Sequence, residues 1–165
     1  MALNSNDIEL GTPCPPFRLP SVDGRLVDWK NFSDQSALLV AFICNHCPYV
    51  QAIEDSLIAL KRDGLQIIGI CSNDANRYPD DAPEALLKRW REKNYGFPYL
   101  LDSDQAVAKA FQAVCTPDLF LYDQDRRLFY HGRIEELSTV IDQVLAGFPP
   151  PTMQRHSIGC SIKWT

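Results

Sequence analysis

The sequence predicts an α/β fold, with a central mixed β-sheet flanked by helices, an N-terminal β-hairpin and an irregular C-terminal tail. Three observations support this prediction. Apolar runs typical of buried strands alternate with amphipathic stretches, as in strand–helix–strand units. Two short extended segments near the N-terminus flank Asp23-Gly24, a turn signal of hairpins. The run Phe148-Pro149-Pro150-Pro151 cannot continue a helix and begins the tail.

The first half of the chain predicts the hairpin and two strand–helix units. The helix after the first strand has apolar residues at a spacing near that of the α-helical turn. Strand, helix, strand and helix in this order predict a parallel pair of strands. In chain order, the predicted elements are a hairpin (17–19 and 25–29), a strand (37–43), a helix that ends before Gly64, a strand (65–71) and a helix that Pro83 begins and that runs toward Gly96.

The second half predicts a short extended segment, a helix, a second hairpin and a last helix. Asp102-Ser103-Asp104 can cap the first of these helices through side-chain oxygens. Two aromatic-rich runs flank Asp123-Gln124-Asp125-Arg126, which indicates an antiparallel hairpin. The predicted elements are an extended segment (97–101), a helix (105–112), two strands (119–122 and 128–131) and a helix (135–146).

Composition limits the number of domains and the class of partner. A chain of 165 residues with 45% hydrophobic side chains suits one core, so we expect one domain over 1–147 and a Pro-rich tail over 148–165. The net charge of −5, with dispersed Lys and Arg, argues against nucleic-acid binding. The first residues lack a basic, apolar leader, and no stretch has the length of a membrane span. We therefore expect a cytoplasmic protein without membrane contact.

The segment Cys44-Asn45-His46-Cys47-Pro48 follows the first predicted core strand and begins the next helix. Two thiols with this spacing can form and reopen a small disulfide ring. A helix N-terminus favours negative charge on the leading sulfur, so we expect Cys44 to be the nucleophile and Cys47 the resolving thiol. A charged His46 imidazole would stabilise the nearby thiolate and make the pair more oxidising. The motif predicts dithiol redox chemistry.

The other cysteines are reactive, metal-bound or simply buried, because structural disulfides are rare in the cytoplasm. Cys71 ends a predicted buried strand and is expected to be a small core residue, and Cys14 is given no role. Cys160 lies in an apolar stretch of the tail. Either this stretch packs on the domain, or it brings a reactive thiol back to the dithiol. His131 and His156 are expected to have no functional role.

With these residues assembled, the chain resembles the thioredoxin-fold superfamily, in the branch of peroxiredoxin-like (AhpC/TSA-like) and cytochrome-maturation-type thiol oxidoreductases. The likeness covers roughly residues 8–147. It depends on the N-terminal hairpin, the Cys44–Cys47 motif between strand and helix, an inserted helical segment, and Cys115-Thr116-Pro117-Asp118 before a hairpin. The resemblance implies that Thr116-Pro117 is a cis pair that faces the dithiol and exposes edge backbone to a substrate strand. Cys115 would lie on the same side as Pro117, as a third sulfur or a buried bystander.

Residues before the motif separate this chain from two well-known members of the superfamily. Ile43 stands where thioredoxin has Trp, and the preceding strand has no acidic residue. Peroxiredoxins place Pro and Thr or Ser shortly before their reactive cysteine, whereas Ala41, Phe42 and Ile43 precede Cys44. Neither the role of thioredoxin nor that of a fast peroxidase follows from the resemblance.

The favoured hypothesis is a thiol–disulfide oxidoreductase that acts on protein disulfides or small thiols, uses a cellular thiol reductant and needs no cofactor. We expect a monomer or homodimer. One alternative is a thiol peroxidase that uses Cys44. Another is a zinc or copper(I) protein with Cys44, His46 and Cys47 as ligands and Cys115 or Cys160 as the fourth. Geometry argues against this ligand set, because adjacent residues on one helical turn point in different directions.

Overall fold

The computed structural model describes residues 2–165 and has ten strands and four α-helices within them. The helices are α1 (Pro48–Ile58), α2 (Pro83–Glu92), α3 (Ala106–Phe111) and α4 (Leu137–Leu145). The strands are β1 (Ala2–Asn4), β2 (Arg18–Pro20), β3 (Leu26–Asp28), β4 (Ala37–Phe42), β5 (Leu65–Cys71), β6 (Tyr99–Leu101), β7 (Cys115–Thr116), β8 (Asp118–Tyr122), β9 (Leu128–His131) and β10 (Ile158–Ser161).

Five strands form the central sheet, in the order β6-β5-β4-β8-β9. Strand β5 is parallel to β4 and to β6, whereas β8 is antiparallel to β4 and to β9. The predicted mixed sheet, parallel pair and C-terminal hairpin are therefore confirmed. Strands β2 and β3 form the predicted N-terminal hairpin. Within residues 2–165, the helices are too short or too polar to cross a membrane.

Strand β4 lies at the centre of this sheet, and all six of its residues are buried. Its side chains alternate between two apolar clusters, because successive residues of a strand point to opposite faces. Leu39 and Ala41 pack with residues of α1 and α4 on one face. Leu38 and Val40 pack with residues of α3 and the N-terminal hairpin on the other. A strand covered on both faces holds the segment that follows it in a fixed position.

The C-terminal tail differs from the irregular segment that the sequence predicted. Strand β10 lies between β1 and β7 in a separate three-stranded sheet and is antiparallel to both. Neither β1 nor β10 was expected as a strand. The physical reason is that both are short and acquire their hydrogen-bonding partners from distant parts of the chain, so local sequence carries little signal for them.

A buried carboxylate joins α1 to the α2 region and so fixes the helix that begins at the dithiol. Glu54 is only 4% exposed and accepts hydrogen bonds from Arg89 Nη2 at 2.6 Å and from Tyr95 Oη at 2.5 Å. Burial alone would raise the pKa of Glu54, but these hydrogen bonds outweigh it and lower its pKa overall.

Glu54→Gln is expected to lower the free energy of unfolding by about 2 kcal/mol at neutral pH, because it removes charge-assisted hydrogen bonds from a buried site. The pKa of Glu54 is lowered in the folded state. Ionised Glu54 therefore stabilises the fold above the ordinary Glu pKa of about 4.3, and this contribution is lost as the pH falls through the pKa that Glu54 has in the folded protein. Urea denaturation of both proteins at several pH values measures the difference. The exposed neighbour Asp55→Asn is the control, and a loss equal to that of Glu54→Gln would contradict the prediction.

Candidate active site

The two cysteines of the motif lie just beyond the end of β4. Cys44 is 2% exposed and Cys47 is fully buried. Helix α1 begins at Pro48, and Cys47 is its N-cap, because the backbone N–H groups of Val50 and Gln51 donate to the Cys47 carbonyl. The prediction that Cys44 occupies the helix cap is therefore wrong. The proline at the first helical position starts the helix three residues later than the motif alone suggests.

The Thr116-Pro117 segment meets the dithiol in the folded chain. The peptide bond between these residues is cis, as the resemblance implied. Thr116 Oγ1 lies 3.5 Å from Cys44 Sγ, and the Cys47 thiol donates to the Thr116 carbonyl at 3.3 Å. The fold thus brings together residues that are about 70 positions apart in sequence.

The pKa values of the two thiols are shifted in opposite directions. The hydrogen bond with Cys44 lowers the pKa of Cys47 to about 4, and hydrogen bonds with Cys160 and Thr116 add to this effect against the cost of burial. The hydrogen bond with Cys47, burial and the charge of Asp81 raise the pKa of Cys44. Cys47 is thus the more acidic thiol of the pair, whereas the sequence led us to expect the stabilised thiolate on Cys44.

Asp81 is a part of the site that the sequence did not identify. Its buried carboxylate accepts hydrogen bonds from the Asn45 backbone N–H at 2.7 Å and from Asn73 Nδ2 at 2.9 Å. The same carboxylate lies 2.5 Å from His46 Nδ1. In the sequence, Asp81 belongs to a polar turn, and no local signal connects that turn to the motif.

The His46 side chain faces Asp81 and stacks on the ring of Tyr78, with centroids 5.3 Å apart. Its predicted effect on the thiolate would therefore be opposed by the adjacent carboxylate. Asp81 holds both the backbone and the imidazole between the two cysteines. We describe it as a residue that positions the motif, and the role of His46 in tuning the dithiol stays a prediction.

Asp81→Asn is expected to make the dithiol more oxidising, because it removes a buried negative charge beside the pair and so stabilises a thiolate in the reduced form. A tenfold stabilisation of the reduced form corresponds to a rise in reduction potential on the order of 30 mV. Equilibration with glutathione buffers measures the potential. Asp80→Asn changes an exposed residue of the same turn and should leave the potential unchanged. A lower potential for Asp81→Asn would contradict the prediction.

A metal could be held by a ligand set other than the predicted one. Ligand atoms of Cys44, His46 and Asp81 all lie within 4.8 Å of one another. His46 faces Asp81 while Cys47 faces the Thr116 carbonyl, so the two adjacent residues diverge. A metal bound by these three residues would have to break the hydrogen bonds that Asp81 accepts. Dithiol chemistry is therefore better supported for this site than metal binding.

Cys160 lies beside the dithiol because β10 packs against β7. Its Cα faces that of Thr116 in the antiparallel register, and its side chain packs against the apolar cluster that contains Cys44 and Cys47. The tail therefore both packs on the domain and carries a thiol to the site. The resemblance implied that the Thr116-Pro117 pair exposes edge backbone to a substrate strand, but β10 already pairs with this edge at Thr116.

The other cysteines and His131 are buried in the protein, where they pack in the core or pair with groups other than the dithiol. Cys115 is fully buried, and its thiol donates to the Pro117 carbonyl at 3.8 Å. Burial raises the pKa of Cys115, so this thiol stays protonated at neutral pH. Cys71 and Cys14 are buried core residues. His131 is also buried, with its Nε2 atom 2.6 Å from the Asp118 carboxylate.

Curated relatives point to thiol chemistry. The chain is 29% identical to a peroxiredoxin, Bcp, from Escherichia coli over 110 residues, which are 64% of this chain and 65% of the relative. It is 22% identical to the thiol–disulfide oxidoreductase ResA from Bacillus thuringiensis over 149 residues, 87% of this chain and 80% of the relative. The chain thus spans just under two thirds of the length of the Escherichia coli relative.

Solved structures agree with the fold. An uncharacterized conserved protein from Geobacillus kaustophilus matches with a TM-score of 0.96 and 40% identity, over 100% of this chain and 97% of that one. A hypothetical protein from Sinorhizobium meliloti matches with a TM-score of 0.93 and 42% identity, over 98% of each chain. The thioredoxin domain of a Bacteroides vulgatus thiol–disulfide oxidoreductase, at 19% identity and a TM-score of 0.68, covers 83% of this chain and 98% of its own and shows the fold alone.

The family model described as the AhpC/TSA family matches residues 10–131, which is most of the chain. This range contains the dithiol, Asp81 and the cis-proline segment, whereas β10 lies outside it. The central sheet, the dithiol after β4 and the cis-proline before β8 are the features expected of a thioredoxin fold. The chain is therefore a thioredoxin-fold protein that belongs to the AhpC/TSA family.

Proposed function

We propose that this protein is a thiol–disulfide oxidoreductase in which Cys44 and Cys47 alternate between dithiol and disulfide. The observation that carries the proposal is that the two sulfurs meet at Thr116, Cys44 Sγ at its hydroxyl and Cys47 Sγ at its carbonyl. Two neighbouring thiols supply both the nucleophile that attacks a partner disulfide and the second thiol that resolves the mixed disulfide.

The reaction with a partner disulfide proceeds in two balanced steps. Cys44 attacks one partner sulfur as a thiolate, so a mixed disulfide forms and the other partner sulfur leaves as a thiolate. Cys47 then attacks Cys44 Sγ, its proton passing to the departing thiolate, and the second partner sulfur is released. The partner gains two electrons and the Cys44–Cys47 pair loses two. A cellular thiol reductant reverses these steps to restore the dithiol.

A pocket of about 410 Å³ beside Pro117 supports a protein or small-thiol partner. Its lining is largely apolar and includes Tyr49 and Ile53 of α1, and Arg133 and Glu135 lie on its wall. Such a pocket can accept an apolar group next to the partner's sulfur. The cytoplasmic location predicted from the sequence suits this role, because the cytoplasm supplies thiol reductants.

Peroxide reduction is the second candidate, and family membership favours it. A peroxidase needs a cysteine that is held as a thiolate and is open to peroxide. Here the pKa of Cys44 is raised, both thiols are buried, and Ala41, Phe42 and Ile43 lack the polar groups that would orient a peroxide. These features support disulfide exchange over peroxide reduction.

A redox titration against glutathione tests the proposal. We expect a single two-electron transition in which the Cys44–Cys47 disulfide forms, detected by mass spectrometry after thiol labelling. The measured potential also gives the direction of electron flow relative to the glutathione pool. Failure of this disulfide to form would contradict the proposal. Consumption of peroxide without exchange activity would favour the peroxidase, and stoichiometric zinc or copper in protein purified without chelator would favour the metal site.

A further inference from the structure

Strand β10 places a third thiol in contact with the dithiol. Cys160 packs against the apolar cluster that contains Cys44 and Cys47. Its Cα pairs with that of Thr116, whose carbonyl receives the hydrogen bond of Cys47. Cys47 therefore lies beside two other cysteines, Cys44 in its own segment and Cys160 across the pairing of β10 with β7.

The segment around Cys160 is held on both sides and is not a loose tail. Before it, Ser157 Oγ donates to the Gly132 carbonyl at 2.8 Å. After it, the Ile162 N–H donates to the Val114 carbonyl at 2.9 Å, and the Lys163 N–H donates to Asn73 Oδ1 at 2.8 Å. Ile162 is itself buried in the second apolar cluster. These contacts fix the Cys160 thiol at the dithiol.

Gly159 shows how closely this strand approaches the cis-proline segment. A Cβ atom at this position would lie 2.0 Å from the Thr116 carbonyl oxygen, which is closer than non-bonded atoms can approach. Glycine is thus required for β10 to reach the site. The same close approach holds the neighbouring residue, Cys160, against the apolar cluster that contains Cys47.

We propose that Cys160 is a third redox thiol, which attacks Cys47 in the Cys44–Cys47 disulfide and converts it to a Cys47–Cys160 disulfide. The proposal rests on the proposed function. In this step the bond between Cys47 and Cys44 breaks, a bond between Cys47 and Cys160 forms, and the Cys160 proton passes to the released Cys44 sulfur. The number of disulfides is unchanged, so the step needs no further oxidant. Cys44 becomes a free thiol again.

The exchange gives external reductant an accessible sulfur. Cys160 is half-buried, whereas Cys44 and Cys47 are almost wholly buried. A small thiol can therefore attack Cys160 more readily than either sulfur of the dithiol. This attack expels Cys47, whose lowered pKa makes it the best leaving group of the three. The partner disulfide and the reductant would then act at different sulfurs, Cys44 and Cys160.

The test is oxidation of Cys44→Ser with oxidised glutathione, followed by tryptic digestion without reduction. Trypsin places Cys47 in a peptide of residues 31–61 and Cys160 in a peptide of residues 156–163. We expect these peptides to be joined in Cys44→Ser and separate in the double variant that also carries Cys160→Ser. Cys160→Ser alone should form the Cys44–Cys47 disulfide, and its reduction by a small thiol should be about tenfold slower than in the wild type.

The outcomes separate this proposal from the proposed function. Unlinked peptides in Cys44→Ser, or an unchanged reduction rate in Cys160→Ser, would overturn the third-thiol proposal while the Cys44–Cys47 disulfide still forms. Failure of Cys160→Ser to form that disulfide would overturn both. Cys115→Ser, which changes another buried cysteine on a strand that pairs with β10, is the control and should behave as the wild type. Thermal unfolding of each variant confirms that it is folded.

Discussion

Replacing Cys44 with serine is expected to reduce thiol–disulfide exchange by at least about 100-fold, because a hydroxyl cannot form the mixed disulfide. Cys47 is not expected to take over the first step, because its sulfur faces the Thr116 carbonyl inside the protein. Replacing Cys47 with serine leaves the first attack possible and removes the thiol that resolves the intermediate. Cys47→Ser should therefore accumulate a mixed disulfide at Cys44.

Mass spectrometry after incubation with oxidised glutathione distinguishes the two variants. The adduct should be found on the peptide of residues 31–61 in Cys47→Ser and be absent from that peptide in Cys44→Ser. Cys71→Ser, which changes a buried cysteine in β5, is the control and should cycle as the wild type does. Equal trapping on this peptide by both variants would be inconsistent with Cys44 as the residue that meets the partner.

Replacing Gly159 with alanine is expected to lower the free energy of unfolding by about 3 kcal/mol, the upper range for overpacking a tightly packed site. The added Cβ would meet the Thr116 carbonyl, and neither strand can yield without breaking the pairing between β10 and β7. Chemical denaturation measures the loss. The displaced strand should also expose Cys160, so that its alkylation becomes faster in the folded variant.

Ser161→Ala is the matched control, because it changes a half-buried residue of the same strand and keeps the backbone pairing. It should lower stability by less than about 1 kcal/mol. A Gly159→Ala protein with wild-type stability and an unchanged rate of Cys160 alkylation would show that β10 is not clamped against the cis-proline segment.

Much of the fold could be predicted because its elements have local signals. The buried runs of β4 and β5, the turn at Asp23-Gly24 and the proline that begins α2 depend on neighbours in sequence. These elements suffice for a mixed α/β domain. Strand β10 could not be predicted in this way, because its partners β1 and β7 lie about 45 to 155 residues away.

The sequence by itself determined the pair of cysteines, their spacing and their place between a strand and a helix. Tertiary structure alone decided which thiol is the more acidic, because that depends on where α1 begins, on burial and on the hydrogen bonds to Cys47. It also decided that Asp81 holds the motif and that Cys160 reaches it. The physical reason is that pKa values and sulfur contacts depend on atoms a few ångströms apart in space, which can be far apart along the chain.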